Sequence, residues 1–198
     1  MNLLILFLGY LFGSFPSGYL AGRITKGIDI RSLGSGSTGA TNVLRHIGKR
    51  AAITVFLVDV LKGVVSILLA KYFLLNDSWQ VAIGLSTLIG HIWPVWLNWK
   101  GGKAVATGLG VFLGLSWQVG LATLGIFILI ITLFRIVSLA SVCAALALPL
   151  IMFISFNNSI ISLPFLLISI LAMTLVIWRH RENIARLFKG KEPKIGQH

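Results

Sequence analysis

The chain has 198 residues, 57% of them hydrophobic and only 11% charged, with a mean hydropathy of +0.93. A soluble domain of this length carries about twice that share of charge, so the composition excludes an ordinary soluble globule and indicates an integral membrane protein. The net charge of +12 lies in residues that flank apolar segments. It reads as membrane topology and attraction to anionic lipid and anionic substrates, with no nucleic-acid partner.

The apolar runs are long and lack period-2 alternation, which favours helices over a lipid-facing barrel. Seven apolar segments follow one another, at about 3–22, 51–73, 80–97, 104–117, 119–134, 137–156 and 162–178. Several approach the ~20 residues that a hydrocarbon core demands, whereas the fourth and fifth are short. No basic residue precedes the first segment, so it reads as a retained span and not as a cleaved signal. Cys143 stands alone inside an apolar run and offers neither an intrachain disulfide nor a metal centre. No repeat or linker is visible, and a single membrane-embedded domain over 1–198 is expected. The residues from about Pro193 onward are expected to fray.

Seven spans with the N-terminus outside place 15 of the 17 basic residues on the cytoplasmic side. The outer turns then fall near Asn76, Trp117 and Asn157, and the C-terminus is cytoplasmic. The alternative keeps five full spans and lets 104–134 dip in and return as two half-spans. Merging 104–134 into one crossing would send the tail outside, against the charge bias, and is rejected. The predicted fold is an all-α polytopic bundle.

Polar residues gather in three stretches. The first, Ser32 to Arg45, sets Gly34, Gly36 and Gly39 among the hydroxyls of Ser32, Ser35, Ser37, Thr38 and Thr41. Such a loop lets several backbone N–H groups converge on an oxyanion. A helix is predicted from Thr38 or Gly39, with Asn42, Arg45 and Lys49 on one face. A juxtamembrane turn lined with small residues would read the same way.

The second stretch runs from Gly90 to Thr107. A span ends near Trp96 to Trp99, and Lys100-Gly101-Gly102-Lys103 then turns sharply. Its lysines offer point charges for phosphate, and its glycines are expected to leave backbone N–H groups for the same ligand. A stop-transfer turn is the plainer alternative. His91, inside the membrane, reads as a hydrogen-bonding bridge between helices.

The third stretch, Trp178 to Glu192, leaves the last segment as an amphipathic helix. His180 and Asn183 share a face, and Glu182 is placed to pair with Arg179 and Arg186. The bland alternative is a basic helix resting on anionic lipid. Asp59 and Lys62 form an i, i+3 pair within the second segment, where mutual neutralisation is expected. Ser138 and Ser141 open the sixth segment, as helix caps or as ligand contacts.

Together these stretches resemble the bacterial acyl-phosphate:glycerol-3-phosphate acyltransferase family (PlsY). Its members carry S-x-G-S-G-N-x-G-A-T-N-V-x-R, G-H-x-x-P-x-x-x-x-F-K-G-G-K-x-V-A-T and H-R-x-N-I-x-R-L-x-x-G-x-E. The chain matches these from Ser32 to Arg45, Gly90 to Thr107 and His180 to Glu192, with Ser37 and Trp99 as departures. The resemblance implies transfer of an acyl group from acyl phosphate to the 1-hydroxyl of glycerol 3-phosphate. The product would be 1-acyl-glycerol 3-phosphate, lysophosphatidate, at the first committed step of bacterial phospholipid synthesis. It implies a cytoplasmic (inner) membrane enzyme with its active site on the cytoplasmic face, acting without a cofactor or a metal. A monomer that contacts membrane lipid is expected.

The resemblance places catalytic roles on Ser35, Arg45, His180 and Asn183. Substrate binding falls on Gly34, Gly36, Gly39, Thr41, Asn42, Lys100, Gly101, Gly102, Lys103, Ser141 and Glu192. Chemistry read from the residues agrees. The H-x-x-x-x-D dyad of common acyltransferases is absent, and no aspartate is placed to orient a histidine towards Ser35. Direct transfer, without a covalent acyl-enzyme, is therefore expected, with positioning and charge stabilisation removing most of the barrier. The hydroxyl proton goes to His180 or to a substrate phosphate oxygen, and the acyl tail enters sideways from the bilayer. The competing class is an anion transporter or channel with a basic cytoplasmic vestibule. It would need polar residues through the spans, which hold little beyond Asp59, Lys62 and His91.

Overall fold

A computed structural model describes residues 1–158 and 160–196, and those residues form ten α-helices and two short 3-10 turns with no strand among them. The helices are α1 (Asn2–Ser14), α2 (Ser17–Lys26), α3 (Ala40–His46), α4 (Lys49–Tyr72) and α5 (Asp77–Ile92). They continue as α6 (Val105–Leu115), α7 (Trp117–Phe134), α8 (Val137–Asn157), α9 (Leu163–Arg179) and α10 (Arg181–Phe188). All seven predicted apolar segments are helical.

The first segment is broken in two. Pro16 lacks an N–H and forces the residue before it out of helical geometry, and Phe15 accordingly adopts φ −55° and ψ 120°. Five segments are long and apolar enough to cross a membrane: Asn2–Lys26, Lys49–Tyr72, Asp77–Leu97, Trp117–Phe134 and Val137–Asn157. The sixth candidate, α9, joins α10 through a 62° bend. With 11 residues, α6 rises about 16 Å, roughly half of a ~30 Å hydrocarbon core.

The chain divides into two compact units, Met1–Leu115 and Ser116–His198. The boundary falls at Ser116, the one residue between α6 and α7, which leaves no linker for composition to reveal.

In the first unit α1 lies along α5, and α4 lies along α6. Both seams depend on glycine. A Cβ at Gly13 would strike the Thr87 carbonyl, and one at Gly90 the Tyr10 carbonyl. Gly63 and Gly110 bring α4 and α6 together in the same way, the second against the Val60 carbonyl. Backbones this close gain van der Waals contact in lipid, where no hydrophobic force drives helices together. Side-chain bonds cross the first seam as well: Tyr10 donates to the Trp93 carbonyl at 2.9 Å, and Trp96 Nε1 to Ser14 Oγ at 3.0 Å.

In the second unit α8 packs between α7 and α9, and α10 folds back on both α8 and α9. The tail does not fray as far as the described residues extend. Ile195 N donates to the Arg135 carbonyl at 2.7 Å, and Arg135 Nη2 returns a bond to the Ile195 carbonyl at 3.0 Å. Arg135 has a left-handed backbone (φ 60°) that caps α7 and turns its carbonyl to the tail. Gln197 and His198, also expected to fray, lie outside the described residues, as does Ser159 in the turn near Asn157.

Candidate active site

The glycine loop folds around one buried amide. Asn42, 2% exposed, sets Nδ2 within 3.0 Å of the Ile30 and Leu33 carbonyls and 2.9 Å of the Ser37 carbonyl. Its Oδ1 accepts the Ser35 N–H at 3.3 Å. A residue expected to bind substrate thus has its amide directed into its own loop. Part of the expected oxyanion cradle is occupied in the same way. The N–H groups of Ser35, Gly36 and Gly39 go to Asn42 Oδ1, the Leu33 carbonyl and Ser37 Oγ, because a short loop with few other polar neighbours must satisfy its own backbone. Gly34 has φ +56° and lies against Asn42 and the His46 ring, so the position requires glycine twice over. What the loop turns outward is side chains: Ser35 and Arg45 are exposed beside the exposed Gly34 and Gly36, and Thr41 and Gly39 are half-buried.

The predicted helix begins at Ala40 but stops at His46, and Gly48, with φ 131°, precedes a new helix at Lys49. The face expected to carry Asn42, Arg45 and Lys49 is therefore interrupted, and Lys49 belongs to α4.

The Lys100–Lys103 turn also differs from expectation. Gly101 N donates to the Ile92 carbonyl at 3.1 Å and Gly102 N to the His91 carbonyl at 3.0 Å. The end of α5 leaves carbonyls without helical partners, and the turn's N–H groups satisfy them instead of awaiting a ligand. Asn98, Trp99 and Ala104 flank the glycines with φ between 51° and 62°, a region that costs non-glycine residues energy. Lys100 is exposed, Lys103 half-buried, and both glycines are buried.

Arg31 joins the loop to this turn. Its Nη1 donates to the Leu97 carbonyl at 2.8 Å, while Asp29 holds the guanidinium through Nη2 at 2.7 Å. That hydrogen bond holds the Asp29 carboxyl below the usual aspartate range. Sequence reasoning missed both residues; the signal was an acid and a base two residues apart immediately before the glycines.

Behind the turn lies a buried polar group. Lys62 Nζ lies 2.9 Å from Asp59 Oδ1 and 2.7 Å from His91 Nδ1, and Ser17 Oγ donates to Asp59 Oδ1 at 2.7 Å. Lys62 also reaches the Phe15 carbonyl at 3.4 Å, which the break at Pro16 leaves without a helical partner. The pairing of Asp59 with Lys62 and the bridging role of His91 are as expected.

In the second unit the polar cluster centres on Glu192, whose side chain is 2% exposed. Oε1 accepts Asn183 Nδ2 at 2.6 Å and Ser138 Oγ at 2.8 Å, and Oε2 accepts Arg186 Nε at 2.7 Å. Burial pushes this carboxyl up, but the bonds from Asn183, Ser138 and Arg186 together outweigh it, and it lies below the usual glutamate range. Arg186 pairs with Glu192, not with the expected Glu182, because the tail returns across the face that Arg186 presents. Neither Ser138 nor Ser141 caps α8. Ser138 reaches Glu192, and Ser141 donates to the Val137 carbonyl at 2.9 Å within its own helix. His180 is buried at the hinge between α9 and α10, with Nδ1 2.8 Å from the Val176 carbonyl. A carbonyl only accepts, so Nδ1 carries a proton here.

The family model for glycerol-3-phosphate acyltransferase matches residues 3–190. The chain belongs to this family. A glycerol-3-phosphate acyltransferase of Prochlorococcus marinus (strain NATL2A) is 87% identical over 197 residues, covering 100% of both chains. One from Parasynechococcus marenigrum (strain WH8102) is 62% identical and covers 98% of this chain and 90% of its own. The crystal structure of PlsY (YgiH), an integral membrane glycerol 3-phosphate acyltransferase in its glycerol 3-phosphate form, superposes with a TM-score of 0.92 at 38% identity. The match covers 98% of this chain and 96% of that one. The lysophosphatidic acid form of the same protein gives 0.89, with 98% and 95% covered.

Proposed function

We propose that this glycerol-3-phosphate acyltransferase takes its acyl group from an acyl phosphate and passes it directly to the 1-hydroxyl of glycerol 3-phosphate. Family membership over nearly the whole chain supports the acceptor. The glycerol 3-phosphate and lysophosphatidic acid forms of the similar crystal structure carry the reading furthest, since they correspond to acceptor and product.

Acyl phosphate is a mixed anhydride. The acceptor oxygen forms the new ester bond at the carbonyl carbon, the bond from that carbon to the phosphate oxygen breaks, and inorganic phosphate leaves. The enzyme's work is to orient the reactants and to stabilise charge on the carbonyl oxygen and the departing phosphate. Ser35 and Arg45, the exposed side chains of the glycine loop, take the acyl phosphate, with Gly34, Gly36, Gly39 and Thr41 shaping the loop around it. Lys100 to Lys103 are assigned to glycerol 3-phosphate, as are His180 and Asn183. His180 takes the hydroxyl proton on Nε2. Ser141 is assigned to substrate binding, Asn42 holds the glycine loop, and Glu192 holds Asn183 and Arg186. No acyl-enzyme is formed.

The chain acts as one membrane-embedded domain and as a monomer. Seven crossings put its N-terminus outside and the three polar stretches at the cytoplasmic face of the bacterial inner membrane. The basic flanks support this orientation.

The test offers purified enzyme glycerol 3-phosphate with acyl phosphate, acyl-CoA or acylated carrier protein in separate reactions. Lysophosphatidate is expected from acyl phosphate alone, and product from either other donor alone overturns the reading. In the same assay His180→Gln is expected to lower kcat by about 10²- to 10⁴-fold with little change in KM. A change confined to KM would leave His180 as a binding group and give the proton to a substrate phosphate oxygen.

A further inference from the structure

The polar group behind the Lys100–Lys103 turn is more elaborate than helix packing needs. Asp59 is 1% exposed, His91 6% and Lys62 7%, and charges at such depth are costly in a membrane. A well-packed apolar set would hold α4, α5 and α6 together at least as firmly. The group has an ordered direction. An ammonium only donates, so Lys62, at 2.7 Å from His91 Nδ1, makes that nitrogen the acceptor. Thr107 Oγ1 lies 3.1 Å from the same nitrogen. The imidazole proton therefore sits on Nε2, at the far edge of the ring.

That edge lies against Gly102. A Cβ at Gly102 would meet His91 Nε2, with Cε1 at 2.8 Å and Cδ2 at 2.9 Å. The His91 backbone holds the same glycine, through its carbonyl and the Gly102 N–H at 3.0 Å. A Cβ at Gly101 would strike the His91 carbonyl. Both glycines between the two lysines are thus seated on His91, and His91 is seated on Lys62 and Asp59.

We propose that Asp59, Lys62 and His91 are positioning residues for the reaction, fixing the Gly101–Gly102 backbone and with it the grip of Lys100 and Lys103 on glycerol 3-phosphate. This rests on the assignment of the turn to that substrate. Ser17 and Thr107 complete the set by holding Asp59 and the imidazole in register.

The test uses the full chain in lipid nanodiscs, with KM measured separately for each substrate. His91→Asn keeps an oxygen acceptor for Lys62 and removes the ring edge at Gly102. It is expected to raise KM for glycerol 3-phosphate about ten-fold while kcat and the KM for acyl phosphate stay within about two-fold. Asp59→Asn/Lys62→Met, which removes both buried charges together and leaves the turn untouched, is expected to act in the same direction and gives the answer should His91→Asn not fold. Gly102→Ala alone is expected to abolish most activity, and His91→Asn/Gly102→Ala to recover at least about ten-fold of it, because the ring that blocks the new methyl is gone. The inference is overturned if Asp59→Asn/Lys62→Met and a folded His91→Asn leave KM for glycerol 3-phosphate unchanged, or if His91→Asn/Gly102→Ala is no better than Gly102→Ala. Lys103→Met separates the two levels. A silent Lys103→Met removes the turn from substrate binding and the inference with it, whereas a raised KM there with silent His91 and Lys62 variants overturns the inference alone.

Discussion

Glu192 holds three donors from two helices with a single buried carboxylate. Its carboxyl titrates below its ordinary value in the folded enzyme, so the stability it lends is present above the unfolded value. That contribution drains away as pH falls through the lower folded value. Glu192→Gln removes the charge and turns an amide N–H₂ towards at least one of the donors. It is expected to cost about 1–3 kcal/mol and to flatten the acid side of a melting-temperature profile taken across the carboxylate range. Asn42 invites the paired experiment. Asn42→Asp sets a carboxylate against three carbonyl oxygens and is expected to destabilise more than Asn42→Ala, measured by thermal unfolding in detergent. Both residues stood out in the sequence as polar positions in an apolar chain. An amide that binds a phosphate and one that staples a loop have the same spelling, so their partners were not legible; the partners depend on where Ile30, Leu33 and Ser37 arrive.

At the scale of helices, every apolar run became helix because lipid leaves the backbone no other way to satisfy its N–H and C=O groups. The interruption at Pro16 follows from proline's missing N–H, although hydropathy alone read residues 3–22 as one segment. Less legible was the end of α3. A continuous face from Asn42 to Lys49 required helix through Gly48, whose φ of 131° forbids it. The seams give a sharp test. Gly110→Ala drives a methyl into the Val60 backbone carbonyl, which cannot move without parting α4 from α6. Gly125 of α7 has nothing within 4 Å of a new Cβ. Gly110→Ala is expected to lower the melting temperature sharply, and Gly125→Ala to leave it unchanged or raise it by a stability gain of about 0.4–1 kcal/mol.

For the molecule as a whole, composition and the placement of lysines and arginines sufficed to read a polytopic helical protein, and three motifs sufficed to read its family. Two compact units were not legible, because their boundary at Ser116 carries no change in hydropathy or charge. Orientation is open to direct measurement. In a background with Cys143→Ser, cysteines at the exposed positions Thr25 and Lys189 are expected to react with an impermeant maleimide from the same side of sealed vesicles. A cysteine at the exposed Ser78 is expected to react only from the other. Labelling of Thr25→Cys and Lys189→Cys from opposite sides would remove the shared cytoplasmic face on which the enzyme's proposed chemistry depends.

The buried ion pair of α4 also bears on biosynthesis. Lys62 meets Asp59 three residues away on the same helix, whereas His91 is 29 residues further along the chain. As the nascent polypeptide leaves the translocon, α4 therefore enters the bilayer already self-neutralised, before the ribosome has delivered α5. Setting the two charges two residues apart, on opposite faces of α4, would strip the helix of that protection, and the defect would surface as failed insertion before it could surface as lost catalysis.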